Sequence, residues 1–355
     1  MNKNIILLSA IFLCFTINAQ SQEAAAKPLF ADPIYDGAAD PVIIWNNKEK
    51  KWWMFYTNRR ANIEDTTGVK WVHGTRIGIA QSKDGRTWKY KDTANISYFP
   101  AHLYDKNFNT LNSSRLASSA GEGPGVRTFW APDVIEHDGT YHMYLTYVPG
   151  IFSSWNHPRN IVHLTSEDLI NWKYESQLNL VNNKVIDACV FQLPDGTWRM
   201  WYNNEMDGKS IWYADSKDLY HWVDKGKAIA ARGEGPKVFQ WQNKYWMIVD
   251  VWKGMEIYQS ANLLSWKKQT TRNLEEGGTG KDDGAIGGHA DVLVNNNKAY
   301  LFYFTHPGRT KNNPARNNSY EAKRSVIQLA ELEVKDGEIV CDRNQPTTIK
   351  LKSHK

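Results

Sequence analysis

The segment Ser216-Lys-Asp-Leu-Tyr-His-Trp222 is one of four copies of a short pattern on which the fold prediction rests. In each copy a Ser and a Trp lie six residues apart, and an Asp or Asn follows the Ser by two positions. The side chain of that Asp or Asn can bond the backbone two residues on, which favours a tight turn between antiparallel strands. The other copies are SKDGRTW at 82–88, SEDLINW at 166–172 and SANLLSW at 260–266.

Two short strands precede each copy, and a fifth unit with the same two strands ends the chain. The first strands are predicted at 40–44, 131–135, 187–191, 234–239 and 289–294. The second strands, which are rich in aromatic residues, are predicted at 51–58, 140–147, 197–204, 244–251 and 298–306. The fifth unit continues with strands predicted at 325–331 and 338–342. This repeat predicts an all-β, five-bladed β-propeller with about four antiparallel strands per blade.

The composition excludes some classes of partner and some sources of stability. The chain has 16 Trp, 17 Tyr and 12 Phe, which suit packed sheets and flat faces for sugar rings, with core packing expected to use most of them. Its 43 basic and 38 acidic residues are interspersed, which argues against a nucleic-acid partner. Cys189 and Cys341 do not make a disulfide framework, so we expect two free thiols, with a single bridge between them as the alternative.

The first 19 residues have the features of a secretory signal peptide. Lys3 gives a charged start, residues 5–17 are largely apolar, and Ala19 is a small residue at the expected cleavage point. We therefore expect a secreted or periplasmic protein without a membrane span. Residues 20–355 are expected to form a single propeller domain, and the protein is expected to be a monomer.

One position of the first strands carries ionisable residues in four of the five units. In a propeller the first strands line the central channel, so side chains at this position, which we call the hub position, are expected to meet. Glycoside hydrolysis uses such a set, because one carboxylic acid protonates the leaving oxygen while a carboxylate activates water. A third acidic group raises the pKa of the acid. Aligned on their apolar residues, the strands place Asp40, Ala131, Asp187, Glu234 and His289 at the hub position.

Other carboxylates can fill the two main roles. Asp32 and Asp36 are alternatives to Asp40 as the base. Glu122 is the alternative to Glu234 as the acid, because it also stands in a Gly-Glu-Gly-Pro run. We favour Asp40 and Glu234 because they occupy the hub position, whereas Glu122 lies in an insertion.

The order of the motifs resembles glycoside hydrolase family 43, five-bladed propeller enzymes that act on arabinose- and xylose-containing glycans. Ala-Asp-Pro at 39–41, Ile-Asp-Ala at 186–188 and Glu-Gly-Pro at 234–236 match motifs of the family. Trp-Ala-Pro at 130–132 and Gly-His at 288–289 match two more. The resemblance covers essentially the whole mature chain, with one motif in each blade.

The resemblance implies a role for each of these residues. It makes Asp40 the general base, Glu234 the general acid, and Asp187 the residue that modulates the pKa of the acid. In the family the Gly-His contributes to a central hydrated calcium site, so His289 is a candidate metal-site residue. No cofactor is expected for the chemistry, and a structural calcium ion stays an open alternative. Asp187 can instead be a buried carboxylate satisfied by backbone amides.

Four further residues are expected to contact substrate. Trp71 and Trp130 are candidate stacking platforms, with core packing as the alternative for each. Asp133 is a candidate polar contact that can instead hold the end of its strand. Arg309 resembles the substrate-binding arginine of the family, and a surface arginine is the alternative.

These residues together predict an inverting, exo-acting glycosidase that takes an oligo- or polysaccharide. An α-L-arabinofuranosidase or a β-xylosidase is the first expectation, and a galactofuranosidase or anhydrogalactosidase type is the alternative. Inversion requires room for water, so we expect the Asp40 and Glu234 carboxyls about 6.5–9.5 Å apart. Insertions at 61–74 and 92–127 are expected to shape the sugar pocket. The rival from another class is a carbohydrate-binding propeller without catalysis.

Overall fold

The computed structural model describes residues 23–64, 67–96, 127–310 and 318–353. Nearly all the regular structure in these ranges is β-strand, arranged in five separate antiparallel sheets that follow one another along the chain. Within the same ranges the helices are a single 3-10 turn, Lys70–Val72, and the short α1 (Tyr320–Lys323). The predicted five-bladed β-propeller is confirmed.

Each blade contributes four strands in sequence order from the axis outward. The first strands are β1 (Ala38–Asn46), β6 (Thr128–His137), β10 (Val185–Gln192), β14 (Glu234–Trp241) and β18 (Gly288–Asn295). The second strands are β2 (Lys51–Asn58), β7 (Thr140–Val148), β11 (Trp198–Asn204), β15 (Lys244–Asp250) and β19 (Lys298–Thr305).

The outer strands complete the blades. The third strands are β3 (Arg76–Ser82), β8 (Asn160–Ser166), β12 (Ser210–Ser216), β16 (Met255–Ser260) and β20 (Val326–Lys335). The fourth strands are β4 (Lys89–Thr93), β9 (Asn171–Gln177), β13 (Trp222–Ile229), β17 (Lys267–Lys268) and β21 (Glu338–Val340). One feature was not expected: β5 (Asn95–Ile96) leaves blade one and pairs in parallel with β9 of blade two.

The hydrophobic core lies between neighbouring blades. Every first strand packs against the first strands of the two adjacent blades, so the five of them close a ring around the axis. Trp52 and Phe302 share the layer between blades one and five, and Tyr144 and Met200 share the layer between blades two and three. All four side chains are fully or almost fully buried. The three aromatic ones agree with the expectation that most aromatic residues serve core packing.

The repeated Ser–Trp segments form the same turn in four blades. In blade three, Ser216 Oγ accepts a hydrogen bond from the Leu219 N–H at 3.0 Å, and Asp218 Oδ1 accepts one from the Tyr220 N–H at 2.9 Å. The indole N–H of Trp222 donates to the Leu219 carbonyl at 3.0 Å. The predicted bond from the Asp or Asn to the backbone two residues on is thus confirmed, and it recurs in the other copies.

Some predictions fall on parts of the chain that the structure leaves undescribed. The signal peptide at 1–19, its cleavage after Ala19 and most of the insertion at 92–127, with Glu122, lie outside the described residues. Cys189 and Cys341 are free thiols, as expected. Within the described ranges, neither helix has the length and apolar character needed to cross a bilayer.

Candidate active site

A β-bulge in each first strand shapes the mouth of the channel. In blades one to three the extra residue at the bulge has a left-handed φ, at 52° for Asp40, 42° for Ala131 and 59° for Asp187. In blade four the residue with this conformation is Gly235, at 56°. The bulge turns these residues out of the regular alternation of the strand, which re-aims their side chains at the axis.

This register corrects the sequence alignment at one place. Glu234 pairs with Asp250 of β15 and stands one residue before the hub position, which Gly235 occupies. A Cβ atom on Gly235 would lie 2.7 Å from the imidazole of His289, so a side chain does not fit there. The sequence does carry a sign of this offset, because Pro41, Pro132 and Pro236 each directly follow the hub position of their blade.

Asp40 is held by an arginine that the sequence analysis did not single out. Arg59, directly after β2, places Nη2 3.0 Å and 3.3 Å from the two oxygens of the Asp40 carboxylate. Arg59 Nη1 also donates to Nε2 of His306 at 3.1 Å, while His306 Nδ1 donates to the Arg324 carbonyl at 2.8 Å. The guanidinium lies over the Phe304 ring, and these contacts fix the orientation of the Asp40 carboxylate.

Asp187 lies beside Asp40 and is almost fully buried. Its Oδ2 accepts a hydrogen bond from the Gly235 N–H at 3.1 Å, which links blade three to blade four. Burial and then the charge of Asp40 raise the pKa of Asp187, against the opposing effect of the Gly235 N–H. His289 Nδ1 lies 3.7 Å from Asp40 Oδ1 and 4.0 Å from Asp187 Oδ2, so the imidazole stands between the two carboxyl groups.

Glu234 is the most accessible of the three predicted carboxylates, with 24% of its side chain exposed. Its Oε1 accepts a hydrogen bond from the indole N–H of Trp252 at 2.9 Å, and its Oε2 lies 3.9 Å from Lys209 Nζ. Burial, then the charges of Asp187 and Asp250, raise the pKa of Glu234, and this outweighs the opposing charge of Lys209. A carboxyl group with a raised pKa retains a proton that it can donate near neutral pH.

Polar residues near the ends of the second strands hold the hub residues of the next blade. Thr146 Oγ1 accepts the Asp187 N–H at 3.1 Å, and Asp250 Oδ2 accepts the His289 N–H at 2.8 Å. Thr57 accepts the N–H of Ala131 in the same way, at 2.8 Å. These bonds between blades fix the backbone on which the candidate catalytic side chains stand.

Glu205, directly after β11, also belongs to the site. It is mostly buried and forms ion pairs with Arg159 and with Lys209. The same Lys209 approaches Glu234, so Glu205 and Arg159 help to set the position of the cation beside the candidate acid. Arg159 lies far from Glu205 and Lys209 along the chain, so no local sequence pattern could have predicted the network.

The two predicted tryptophan platforms pack into one cluster beside the hub. The 3-10 turn at Lys70–Val72 brings Trp71 into this cluster with Trp130, and the Trp130 indole N–H donates to the Val72 carbonyl at 2.6 Å. Each is less than a tenth exposed, which favours the core-packing alternative. Trp155, 6.0 Å from Trp130 between ring centres, is 54% exposed and offers an accessible aromatic surface that the sequence did not indicate.

Two other predicted substrate contacts have different surroundings. Arg309 Nε donates to the Ala322 carbonyl at 2.6 Å, and its guanidinium lies 5.7 Å from the centre of the Trp71 ring. Asp133 is not brought together with the hub carboxylates. Its oxygens are engaged by the Val190 N–H at 2.7 Å and by Lys237 Nζ at 3.1 Å, so the structure supports the alternative of a structural carboxylate.

The hub therefore gathers Asp40, Asp187 and His289, with Glu234 beside them and partly open to solvent. An acid with a raised pKa and a carboxylate oriented by an arginine are the two groups that glycosidic bond cleavage requires. A five-bladed propeller with this set of residues defines the class of propeller glycoside hydrolases. Within that class the chain belongs to the family described as Glycosyl hydrolases family 43, whose model matches residues 66–251.

Comparison with individual proteins agrees with this family. The chain is 23% identical over 241 residues to "Probable arabinan endo-1,5-alpha-L-arabinosidase A" of Emericella nidulans, covering 62% of this chain and 73% of that protein. A thermostable family-43 glycoside hydrolase superposes with a TM-score of 0.61 at 17% identity, covering 91% of this chain and 98% of the other. A β-xylosidase/α-arabinofuranosidase from a compost microbial metagenome gives 0.58 at 15%, covering 87% and 96%. The two structures share the fold of this chain.

Proposed function

We propose that the protein is an inverting, exo-acting glycosidase in which Asp40 is the general base and Glu234 the general acid. The observation that carries the proposal is the difference between the two carboxyl groups. Glu234 has a raised pKa and a hydrogen bond from Trp252, whereas Asp40 is paired with Arg59 through both oxygens. One group is thereby prepared to give a proton and the other to accept one.

The proposed reaction is a single displacement. Asp40 takes a proton from a water molecule while the oxygen of that water attacks the anomeric carbon. At the same time Glu234 donates its proton to the departing glycosidic oxygen. The bond between the anomeric carbon and that oxygen breaks, and the configuration at the anomeric carbon inverts. Asp187 acts through Glu234, because its carboxyl group raises the pKa of the acid and accepts the Gly235 N–H beside it.

The first substrates to test are aryl glycosides of α-L-arabinofuranose and β-D-xylose. The β-xylosidase/α-arabinofuranosidase with the same fold supports this choice. Aryl galactofuranosides test the alternative among furanosidases, and 3,6-anhydrogalactosides test the anhydrogalactosidase type. A protein that binds sugars but cleaves none of these and no glycan would be a carbohydrate-binding propeller instead.

The assignment of acid and base is tested with paired variants. Glu234→Gln is expected to lower kcat/KM by about 10²–10⁴-fold on an aryl glycoside with a poor leaving group. The same substitution should lower kcat/KM much less on a dinitrophenyl glycoside, because the dinitrophenolate leaving group departs without a proton. Asp40→Asn is expected to lower kcat/KM for both substrates, because the attack by water is common to them.

Glu256→Gln is the matched control, since this carboxylate of blade four pairs with Lys268 and Arg272 away from the hub. It should retain wild-type activity. If Glu234→Gln cleaves the poor substrate as fast as wild type, the acid is assigned to the wrong residue. Proton NMR of the first sugar product distinguishes inversion from retention.

An endo-acting arabinanase is the second candidate, because two relatives with similarity across more than 60% of this chain carry that name. The sizes of the products from linear arabinan distinguish the two modes. An exo-acting enzyme releases monosaccharide from the start of the reaction. An endo-acting enzyme first produces a ladder of oligosaccharides.

A further inference from the structure

A second ring of side chains lies two residues past the hub position, and a lysine stands in it. Lys237 Nζ of blade four lies 3.1 Å from Asp133 Oδ1 of blade two and 2.8 Å from Asp291 Oδ1 of blade five. Blades two and four are not neighbours, so the ammonium group bridges across the channel rather than along its wall. By strand register the ring consists of Val42, Asp133, Cys189, Lys237 and Asp291.

The second oxygen of each aspartate extends the connection to the remaining blades. Asp133 Oδ2 accepts the Val190 N–H of blade three at 2.7 Å. Asp291 Oδ2 accepts the Ile43 N–H of blade one at 2.8 Å. Through one ammonium group and two carboxylates, polar contacts therefore join all five blades at the axis.

The charges of this cluster are removed from bulk water. The side chains of Asp133 and Asp291 are 5% and 3% exposed, and that of Lys237 is 18% exposed. Burial lowers the pKa of Lys237, but the charges of Asp133 and Asp291 outweigh it and hold the pKa well above its ordinary value. Two buried carboxylates require a counter-charge, and the lysine supplies it.

The family resemblance implies a hydrated calcium ion at His289, but carboxylate oxygens beside this residue are already engaged, those of Asp40 by Arg59 and Oδ2 of Asp187 by the Gly235 N–H. Calcium takes six to eight oxygen ligands. The His289 ring instead packs against Gly235, with Nδ1 turned to Asp40 and Asp187. No group of three or more His, Cys, Asp or Glu within the described residues is arranged to hold a metal ion.

We propose that the ammonium group of Lys237 is the resident cation of the propeller channel, where it joins the blades in place of a metal ion. The fold is then stable without a divalent cation, and removal of the lysine uncovers a site for one. This inference concerns the scaffold and does not depend on the proposed substrate or on the roles of Asp40 and Glu234.

The first test measures thermal unfolding of the wild-type protein and of Lys237→Met. The melting temperature of wild type should change by no more than about 1 °C in EDTA or in millimolar calcium chloride. Lys237→Met should lower it by about 5–10 °C, because two carboxylates are left buried without a counter-charge. Lys298→Met is the matched control, since its partner Glu331 is at the surface and the loss should be about 1 °C or less.

The second test replaces the lysine with a short side chain. Lys237→Ser leaves both carboxylates and room for a hydrated ion, so calcium chloride should raise its melting temperature by several degrees, about half or more of what the substitution removed. Calorimetric titration with calcium should give one binding site in Lys237→Ser and none in wild type. Calcium binding or an EDTA-induced loss of stability in wild type would overturn the proposal.

A third variant covers the case in which single substitutions do not fold. Lys237→Met combined with Asp133→Asn and Asp291→Asn removes the three charges together. This triple variant should fold, and its melting temperature should be higher than that of Lys237→Met alone. If the triple variant fails to fold, or if Lys237→Met has the same melting temperature as wild type, the lysine is not the cation that the channel requires.

Discussion

At the scale of single residues, Gly235 shows how the backbone decides which side chain lies at the mouth of the channel. It holds the hub position of blade four with a φ of 56°, and the imidazole of His289 occupies the space where its Cβ would lie. The neighbouring Glu234 thereby becomes the carboxylate at the mouth, where it bonds Trp252. The Glu-Gly-Pro sequence predicted the candidate acid but not its offset from the other blades.

Gly235→Ala is expected to impair both stability and activity. The left-handed conformation costs a residue with a Cβ about 1–2 kcal/mol, and the methyl group would also displace the ring between Asp40 and Asp187. We expect kcat/KM to fall by about 10²-fold, since small displacements at a reacting centre have effects of that size.

Gly196→Ala separates the two effects of that substitution. Gly196 has a φ of 85°, and a Cβ added to it would meet no atom within 4 Å, so it reports the backbone cost alone. The free energy of unfolding of Gly196→Ala, measured by urea titration, should be lower than that of wild type, while its activity stays at the wild-type level. Equal activity losses in the two alanine variants would contradict a specific role for the space beside His289.

Lys209 provides a pH test of Glu234 as the acid. Lys209 lowers the pKa of Glu234, against the larger raising effects of burial and of Asp187. The acid works only when protonated, so activity is lost as the pH rises through this pKa. Lys209→Met removes the lowering charge and should move the alkaline limb of the profile of kcat against pH upward, by on the order of one pH unit.

Lys227→Met is the control for this shift, because Lys227 pairs with the partly exposed Asp207 of the same blade. It should leave the alkaline limb in place. A limb that stays fixed, or moves to lower pH, in Lys209→Met would mean that the group observed in the profile is not Glu234.

At the scale of elements, the turns were predictable because their contacts are local. Asp168 accepts the Ile170 and Asn171 N–H groups, both at 2.8 Å, and Asn262 does the same for Leu264 and Ser265 in blade four. The network of Arg159 with Glu205 and Lys209 was not predictable, because it joins different blades. Sequence patterns report neighbours along the chain, and the hub is built from residues far apart in it.

Asp168→Ala is expected to lower the free energy of unfolding by about 1–2 kcal/mol, because two backbone N–H groups in the turn lose their acceptor. Asp168→Asn should cost much less, since blade four already uses an Asn at the equivalent position. Urea unfolding of the two variants and wild type provides the measurement. An Asn variant as unstable as the Ala variant would show that charge, rather than the hydrogen bonds, stabilises the turn.

At the scale of the whole molecule, the ring is closed by the two ends of the described chain. Phe30 pairs with Ile327 of blade five, and the Ala25 N–H bonds the Thr347 carbonyl. The Leu351 N–H then donates to the Asp84 carbonyl in the turn of blade one, at 2.7 Å. The sequence repeat predicted the number of blades, but the last residues fall outside the repeat and gave no sign of this contact.

The turn of blade one differs from its copies in a way that this contact explains. Three turns place a buried leucine with a left-handed φ three residues after the Ser, whereas blade one has Gly85. A Cβ on Gly85 would lie 2.6 Å from the Leu351 side chain, which packs between blades one and five. Leu351 thus occupies the space that a leucine of the turn itself fills in each of the other three blades. The leucines of those turns are Leu169, Leu219 and Leu263.

Leu351→Ala should therefore destabilise the propeller as an internal core substitution would, by about 2–5 kcal/mol. Leu219→Ala, in the equivalent place of blade three, is the matched comparison and should cost a similar amount. Limited proteolysis should cut Leu351→Ala near its C-terminus sooner than Leu219→Ala, because only the former loosens the segment that joins blades five and one. If Leu351→Ala unfolds at the same urea concentration as wild type, the segment around Leu351 lies on the ring without closing it. The first and last blades are then held together by the pairing of Phe30 with Ile327 and by the contacts of β1 with β18, β19 and β20.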